Sequence, residues 1–151
     1  MGYRSDVRII TTKKGFNELK KFVNKYEKEK NVKYSLLDNL DVNVDNNFEK
    51  YIGWNSLKWY EDIDGYECVN AIMKGLDHLE EDNYSYRYAR IGENYDDYDE
   101  SYFESSKEEE RMLEFPSVIR EFDDNYTKLL LEENQKEISK NEELNLWKKF
   151  M

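Results

Sequence analysis

Residues 6–26, DVRIITTKKGFNELKKFVNKY, contain the change of period that decides the fold. Val7, Ile9, Ile10, Thr11 and Thr12 are strand formers, and Lys13-Lys14-Gly15 reads as the punctuation after them. Phe16, Leu19, Phe22, Val23 and Tyr26 then recur at helical spacing, while Asn17, Lys20, Lys21 and Lys25 cover the other side. A strand running directly into an amphipathic helix predicts a helix packed on a sheet. The helix should fade near Lys30-Asn31.

Downstream, Leu36, Leu37 and Leu40 suggest a short helical turn, and Val42 and Val44 a strand, with a turn at Asp45-Asn46-Asn47. The aromatic stretch from Phe48 to Tyr60 reads as a bent strand, or two short ones, because Gly53 and Asn55 interrupt it. Asp64 is expected to cap a second helix, with Glu67 completing a box-like pattern and Val69, Ile72, Met73, Leu76 and Leu79 forming its apolar stripe. Asn83 ends that helix, and Tyr84 to Ile91 return to strand chemistry. The order strand, helix, one or two strands, helix, strand predicts an α+β fold. Its core is a ferredoxin-like split βαβ unit, an antiparallel sheet with two helices on one face.

The organisation expected is a core over residues 1–92, an acidic aromatic extension over 93–122 and a C-terminal helix over 123–151, all in one compact domain. Pro116, Val118 and Phe122 suggest a short extended piece, and Leu130, Ile138, Leu144 and Trp147 are the intermittent apolar contacts of the last helix. The 151 residues carry a formal charge of -11, and aromatic side chains make up 15% of them, which argues against wholesale disorder. The acidity also disfavours direct nucleic-acid binding and an anionic membrane surface. No apolar run suits a membrane span, and the opening MGYRSDVRII lacks the pattern of a secretory signal. A cytoplasmic location is expected. Cys68 is the single cysteine, so no internal disulfide forms.

Little in the chain points to catalysis. His78 is the one histidine and falls near the end of the second helix, where a structural role is expected. Acidic neighbours Asp62, Asp64 and Glu67 oppose activation of Cys68, which reads as a small buried hydrophobe. One Cys and one His cannot make a structural zinc site, and the glycines form no phosphate loop. Neither a metal nor another cofactor is expected, and the protein is not expected to be an enzyme. Trp54, Trp59, Tyr51 and Tyr60 resemble a stacking platform, but with only Lys50 and Lys58 nearby they are read as core. Arg4, Asp6 and Arg8 are read as an ion-pair anchor for the sheet.

From Glu93 to Glu110, nine acidic residues face the single Lys107, so most of the net charge lies in one segment. Asp96, Asp97, Asp99 and Glu100 lack the glycine and spacing of a calcium loop. Tyr95, Tyr98 and Tyr102 stand among these acids, with Glu104 just beyond. Carboxylates imitate phosphate charge, and rings offer stacking surfaces to guanidinium groups. Tyr95, Asp96, Asp97, Tyr98, Asp99, Glu100, Tyr102 and Glu104 are therefore the candidate partner-binding residues. The competing reading is a solvated charge run with a few rings returning to the core.

At MGYRSDV (1–7), WNSLKWYED (54–62) and YRYARIGENYDDYDE (86–100) the chain resembles small proteins encoded by phages and prophages of low-GC bacteria. The resemblance spans residues 1 to 102. It implies a context in which small acidic proteins inhibit host defence, as anti-CRISPR proteins do. The expectation is an inhibitor whose acidic, tyrosine-rich surface occupies a basic site on a bacterial defence effector, for example a CRISPR-Cas complex. Three alternatives stay open. They are a small-molecule or nucleotide-signal binder using Arg87, Arg90 and the Trp54/Trp59 region, a metal-dependent carboxylate enzyme, and an accessory protein that forms a homo-oligomer through its C-terminal helix.

Overall fold

Thr12 marks the strand-to-helix switch. In the computed structural model, which describes residues 2–61, 63, 65–110, 122 and 124–135, strand β1 (Ser5–Thr12) passes without a loop into helix α1 (Lys13–Glu29). The Thr12 hydroxyl accepts the Gly15 amide at 3.0 Å, a side-chain cap at the helix start. Lys13-Lys14-Gly15 is thus the first turn of the helix and not the break expected from its composition. Asn31, at φ 54, turns the chain out of α1.

A 3-10 turn at Leu36–Asp38 leads to strand β2 (Val42–Asp45), and β3 (Glu49–Leu57) follows. β3 is one strand with a bulge, since Ser5 pairs with Leu57 but Val7 pairs with Trp54. The extra residue is held by side chains. Asp6 accepts the Ser56 amide at 2.8 Å, Arg4 donates to the Ser56 carbonyl at 2.8 Å, and Asp41 accepts the Asn55 amide at 2.7 Å.

Helix α2 spans Glu67–Glu81 and is followed by β4 (Tyr86–Gly92). The expected cap at Asp64 lies outside the described residues, and Tyr66 occupies the cap position without a side-chain bond to the helix. Glu67 instead accepts a hydrogen bond from the Tyr26 hydroxyl on α1, which holds its carboxyl below the usual range. The apolar stripe is as expected: Val69, Ile72, Leu76 and Leu79 are buried and Met73 packs against them.

Among the described residues five strands form one antiparallel sheet in the order β2-β3-β1-β4-β5, where β5 is Tyr98–Phe103. β1 to β4 reproduce the split βαβ order, with β3 lying between the two strands that α1 connects and β1 between those that α2 connects. Both helices cover one face, over Val7, Ile9, Ile52, Trp54, Tyr86 and Tyr88. They approach closely at Gly75, where a Cβ would collide with Leu19.

The opposite face is also covered. Residues 124–135 form a third helix, α3, whose Leu131 is buried against Ile10 and Tyr51. Leu131, and not the half-buried Leu130, is its anchor. Asn46 donates to the Leu131 carbonyl at 2.8 Å, and the Asn47 amide donates to Gln135 at 2.8 Å. The expected contacts at Ile138, Leu144 and Trp147 lie outside the described residues, as do Pro116 and Val118 of the extended piece, whereas its Phe122 is described and stands against Arg8. No helix among those described is long and apolar enough to cross a membrane.

The clamp that seats α3 begins in the sequence YRSDVR. Arg8 is 3% exposed, and its guanidinium meets both oxygens of Asp124 at 3.0 Å. It also donates to the carbonyls of Val7 and Trp54 and to Asn55. Tyr51 donates to Asp124 at 2.7 Å, and the Phe122 ring lies 4.9 Å from the guanidinium. Gly53 makes the space, because a Cβ there would strike the Arg8 side chain and the Val7 carbonyl. The anchor read from Arg4, Asp6 and Arg8 takes a different form: Asp6 and Arg4 hold Ser56, and Arg8 pairs with Asp124 and so ties the sheet to α3.

Candidate functional site

The acidic segment divides into a buried part, a paired part and an exposed part. Period-two alternation along β5 sends Asp99, Ser101 and Phe103 to the helix side of the sheet and Tyr98, Glu100 and Tyr102 to the other. Phe103 packs against the core, which fixes this register. The segment is thus a fifth strand at the sheet edge, and its residues alternate by face.

Asp97 and Asp99 turn toward Arg90. The Arg90 guanidinium bonds Asp97 at 2.8 and 3.2 Å, Asp99 at 3.0 Å and the Ser5 hydroxyl at 3.1 Å. Tyr3 donates its hydroxyl to Asp97 and accepts the Asn94 amide at 2.9 Å. The Arg90 and Tyr3 bonds hold the Asp97 carboxyl below its ordinary range. Backbone bonds from the Gly92 amide to the Asp97 carbonyl and from the Asp97 amide to the Asn94 carbonyl close the hairpin turn. Gly92 has no side chain where a Cβ would collide with the Asp97 carboxylate and the Tyr3 hydroxyl. Asp97 and Asp99 therefore serve the hairpin internally, and the sequence did not separate them from their neighbours.

Glu110 leaves the charge run altogether. It is 1% exposed, accepts the Ser85 amide at 3.0 Å through its carboxylate, and takes the Ser85 hydroxyl on its backbone carbonyl at 2.7 Å. Glu93 accepts the Arg4 amide at 3.1 Å.

What faces water is a compact set. Tyr95, Tyr98 and Tyr102 are 76%, 59% and 65% exposed. Asp96, Glu100 and Glu104 are also exposed, as are Glu108 and Glu109 of the following 3-10 turn. Tyr98, Glu100 and Tyr102 share one face of an edge strand, so two rings flank a carboxylate. The Tyr102 ring already takes a guanidinium, with Arg87 5.4 Å from its centroid, which shows what these rings can do for an arginine.

The other sequence candidates fall into the core. Trp54 and Trp59 are 1% and 6% exposed and tilt against each other at 5.4 Å, and Trp54 donates its ring N–H to the Leu36 carbonyl at 2.8 Å. Tyr51 is fully buried, and burial followed by its bond to Asp124 pushes its hydroxyl pKa up. Trp54, Trp59 and Tyr51 offer no stacking platform, and of the two arginines suggested for a nucleotide signal Arg90 is engaged by two carboxylates, whereas Arg87 lies over the Tyr102 ring. Cys68 packs beside the core, and burial first, then Glu27 and Glu67, raise its thiol.

His78 is the feature that sequence reasoning placed too simply. Beyond its position in the last turns of α2, its Nε2 lies 3.2 Å from Asp82 and 3.8 Å from Glu18 of α1. The i,i+4 spacing of His78 and Asp82 was visible in the sequence, whereas Glu18 depends on the pairing of the two helices.

Comparison with protein-family models, with curated proteins and with solved structures found no match.

Proposed function

We propose that the protein acts by binding and not by catalysis, as a phage-encoded inhibitor that occupies a basic surface of a bacterial defence effector, in the manner of an anti-CRISPR protein. The observation that carries this reading is the exposed face of β5, where Tyr98, Glu100 and Tyr102 stand together with Tyr95, Asp96 and Glu104 close by in the chain. An edge strand presents its side chains and a row of backbone groups to a partner. Carboxylates spaced along it repel nucleic acid and attract the lysines and arginines that line a nucleic-acid channel. The tyrosines add area and stack on guanidinium groups, which suits an interface centre. The bacterial and phage setting comes from the resemblance at residues 1–7, 54–62 and 86–100.

The hairpin geometry dictates which variants test the idea. Reversing Asp97 or Asp99 removes the partners of Arg90 and disturbs the turn, so loss of function there is uninformative. Asp96→Lys with Glu100→Lys changes exposed groups only, and the melting temperature should stay within a few degrees of wild type. Expressed in a bacterium whose defence blocks phage, the wild type should restore plaque formation and the double variant should not. Full restoration by a folded double variant contradicts the proposed surface.

A further inference from the structure

The C-terminal end of α2 meets the first half of α1. Close packing of Leu19 against Gly75 brings Glu18 to His78, one turn further along α2. Glu18, His78 and Asp82 each offer one donor atom, and the three atoms lie within 4.8 Å of one another. Phe22 stacks on the imidazole at 5.0 Å with 22° between the planes, which fixes the ring with Nε2 facing both carboxylates. Lys21 sits 3.5 Å from the other oxygen of Glu18 and leaves Oε2 to the histidine side.

We propose that Glu18, His78 and Asp82 form a binding site for a divalent transition-metal cation of the zinc, cobalt and nickel class, linking α1 to α2. One imidazole nitrogen with two carboxylate oxygens is a donor set of borderline hardness, which suits these ions better than calcium or magnesium. An ion bonded at about 2.1 Å to each donor in tetrahedral geometry spaces the donors about 3.4 Å apart. The observed 3.2 and 3.8 Å lie close to that spacing, and the Glu18 and Asp82 oxygens, within 4.8 Å of each other, would draw together on the ion. The end of a helix adds independent support, because the carbonyl end of the α2 dipole favours positive charge where His78 and Asp82 stand. Water completes the coordination, as all three side chains are partly exposed. This proposal uses none of the β5 residues and stands or falls separately from the inhibitor reading.

Calorimetric titration of the tag-free full-length chain with Zn²⁺ at pH 7.5 tests it, with Mg²⁺ as control. The expected result is one saturable Zn²⁺ site per chain, a Zn²⁺-dependent rise in melting temperature, and no comparable response to Mg²⁺. His78→Gln should weaken Zn²⁺ binding about tenfold or more and abolish the rise, since it removes the single nitrogen donor. Asp82→Asn, at an exposed position, provides a second variant with the same expected direction, and Cys68→Ser should bind as the wild type does. Absence of a saturable site, undiminished binding by both site variants, or loss of binding in Cys68→Ser overturns the proposal.

Discussion

Arg8 shows how much of the fold turns on single residues. A guanidinium almost fully removed from water needs a complete set of acceptors, and it finds them in Asp124, Asn55 and two carbonyls. The sequence grouped Arg8 with Arg4 and Asp6, but its partner is Asp124, 116 residues away, which only the packing of α3 brings there. Gly53 was read as a bend in an aromatic strand, whereas its missing side chain also leaves room for Arg8. Burial drives the Asp124 carboxyl upward, but the bonds from Arg8 and Tyr51 outweigh it and leave the folded pKa below the ordinary value. A carboxyl depressed in the folded state stabilises above its unfolded pKa, and that stabilisation is lost as pH falls through the folded value. Asp97 has the same sign. Stability measured by urea denaturation should therefore be flat near neutrality and fall below about pH 4. Asp124→Asn should destabilise by about 1–3 kcal/mol at pH 7 and make the acid limb shallower. An acid limb of unchanged steepness in that variant would contradict this assignment.

Among the elements, the strongly periodic ones were legible and the coupled ones were not. The apolar positions of α1 and α2, and the strand-forming residues of β1 and β4, pointed to the split βαβ core. The start of α2 was misjudged because Glu67 pairs across the helix interface with Tyr26 instead of forming a local cap box. The strand character of residues 98–103 was hidden by charge density, since YDESYF reads as a solvated run until β4 supplies a partner and Arg90 binds Asp99 together with the preceding Asp97. Its edge position follows from that composition, because charged residues discourage promiscuous pairing. Asp97→Ala should loosen the hairpin while sparing the helices. Hydrogen exchange should report this as faster exchange at amides 98–103 with α1 and α2 amides unchanged. Equal protection of residues 98–103 in wild type and variant would show that the Arg90 cluster does not hold the strand.

Across the whole molecule, the two faces of the sheet do different work. α1 and α2 bury the larger core on one face, and α3 closes part of the other through Leu131 and the Arg8 clamp. Charge is unevenly placed. Lys13, Lys14, Lys20, Lys21, Lys25 and Lys28 stand on α1, while the carboxylates of residues 93–110 gather around β5 and the turn after it. Such polarity orients a protein in the field of a charged partner before contact, and salt weakens that effect. The proposed surface was half legible: the tyrosines and acids were named in the sequence, but which acids remain available required the hairpin. The most direct test of the inhibitor reading is affinity capture of the tagged protein from a bacterial host with active defence systems, over a salt series, beside the Asp96→Lys, Glu100→Lys variant. The account predicts that the wild type recovers a nucleic-acid-processing complex, that recovery falls steeply with salt, and that the folded variant recovers none. Recovery of the same complex by both proteins, or of no complex by the wild type, would contradict it.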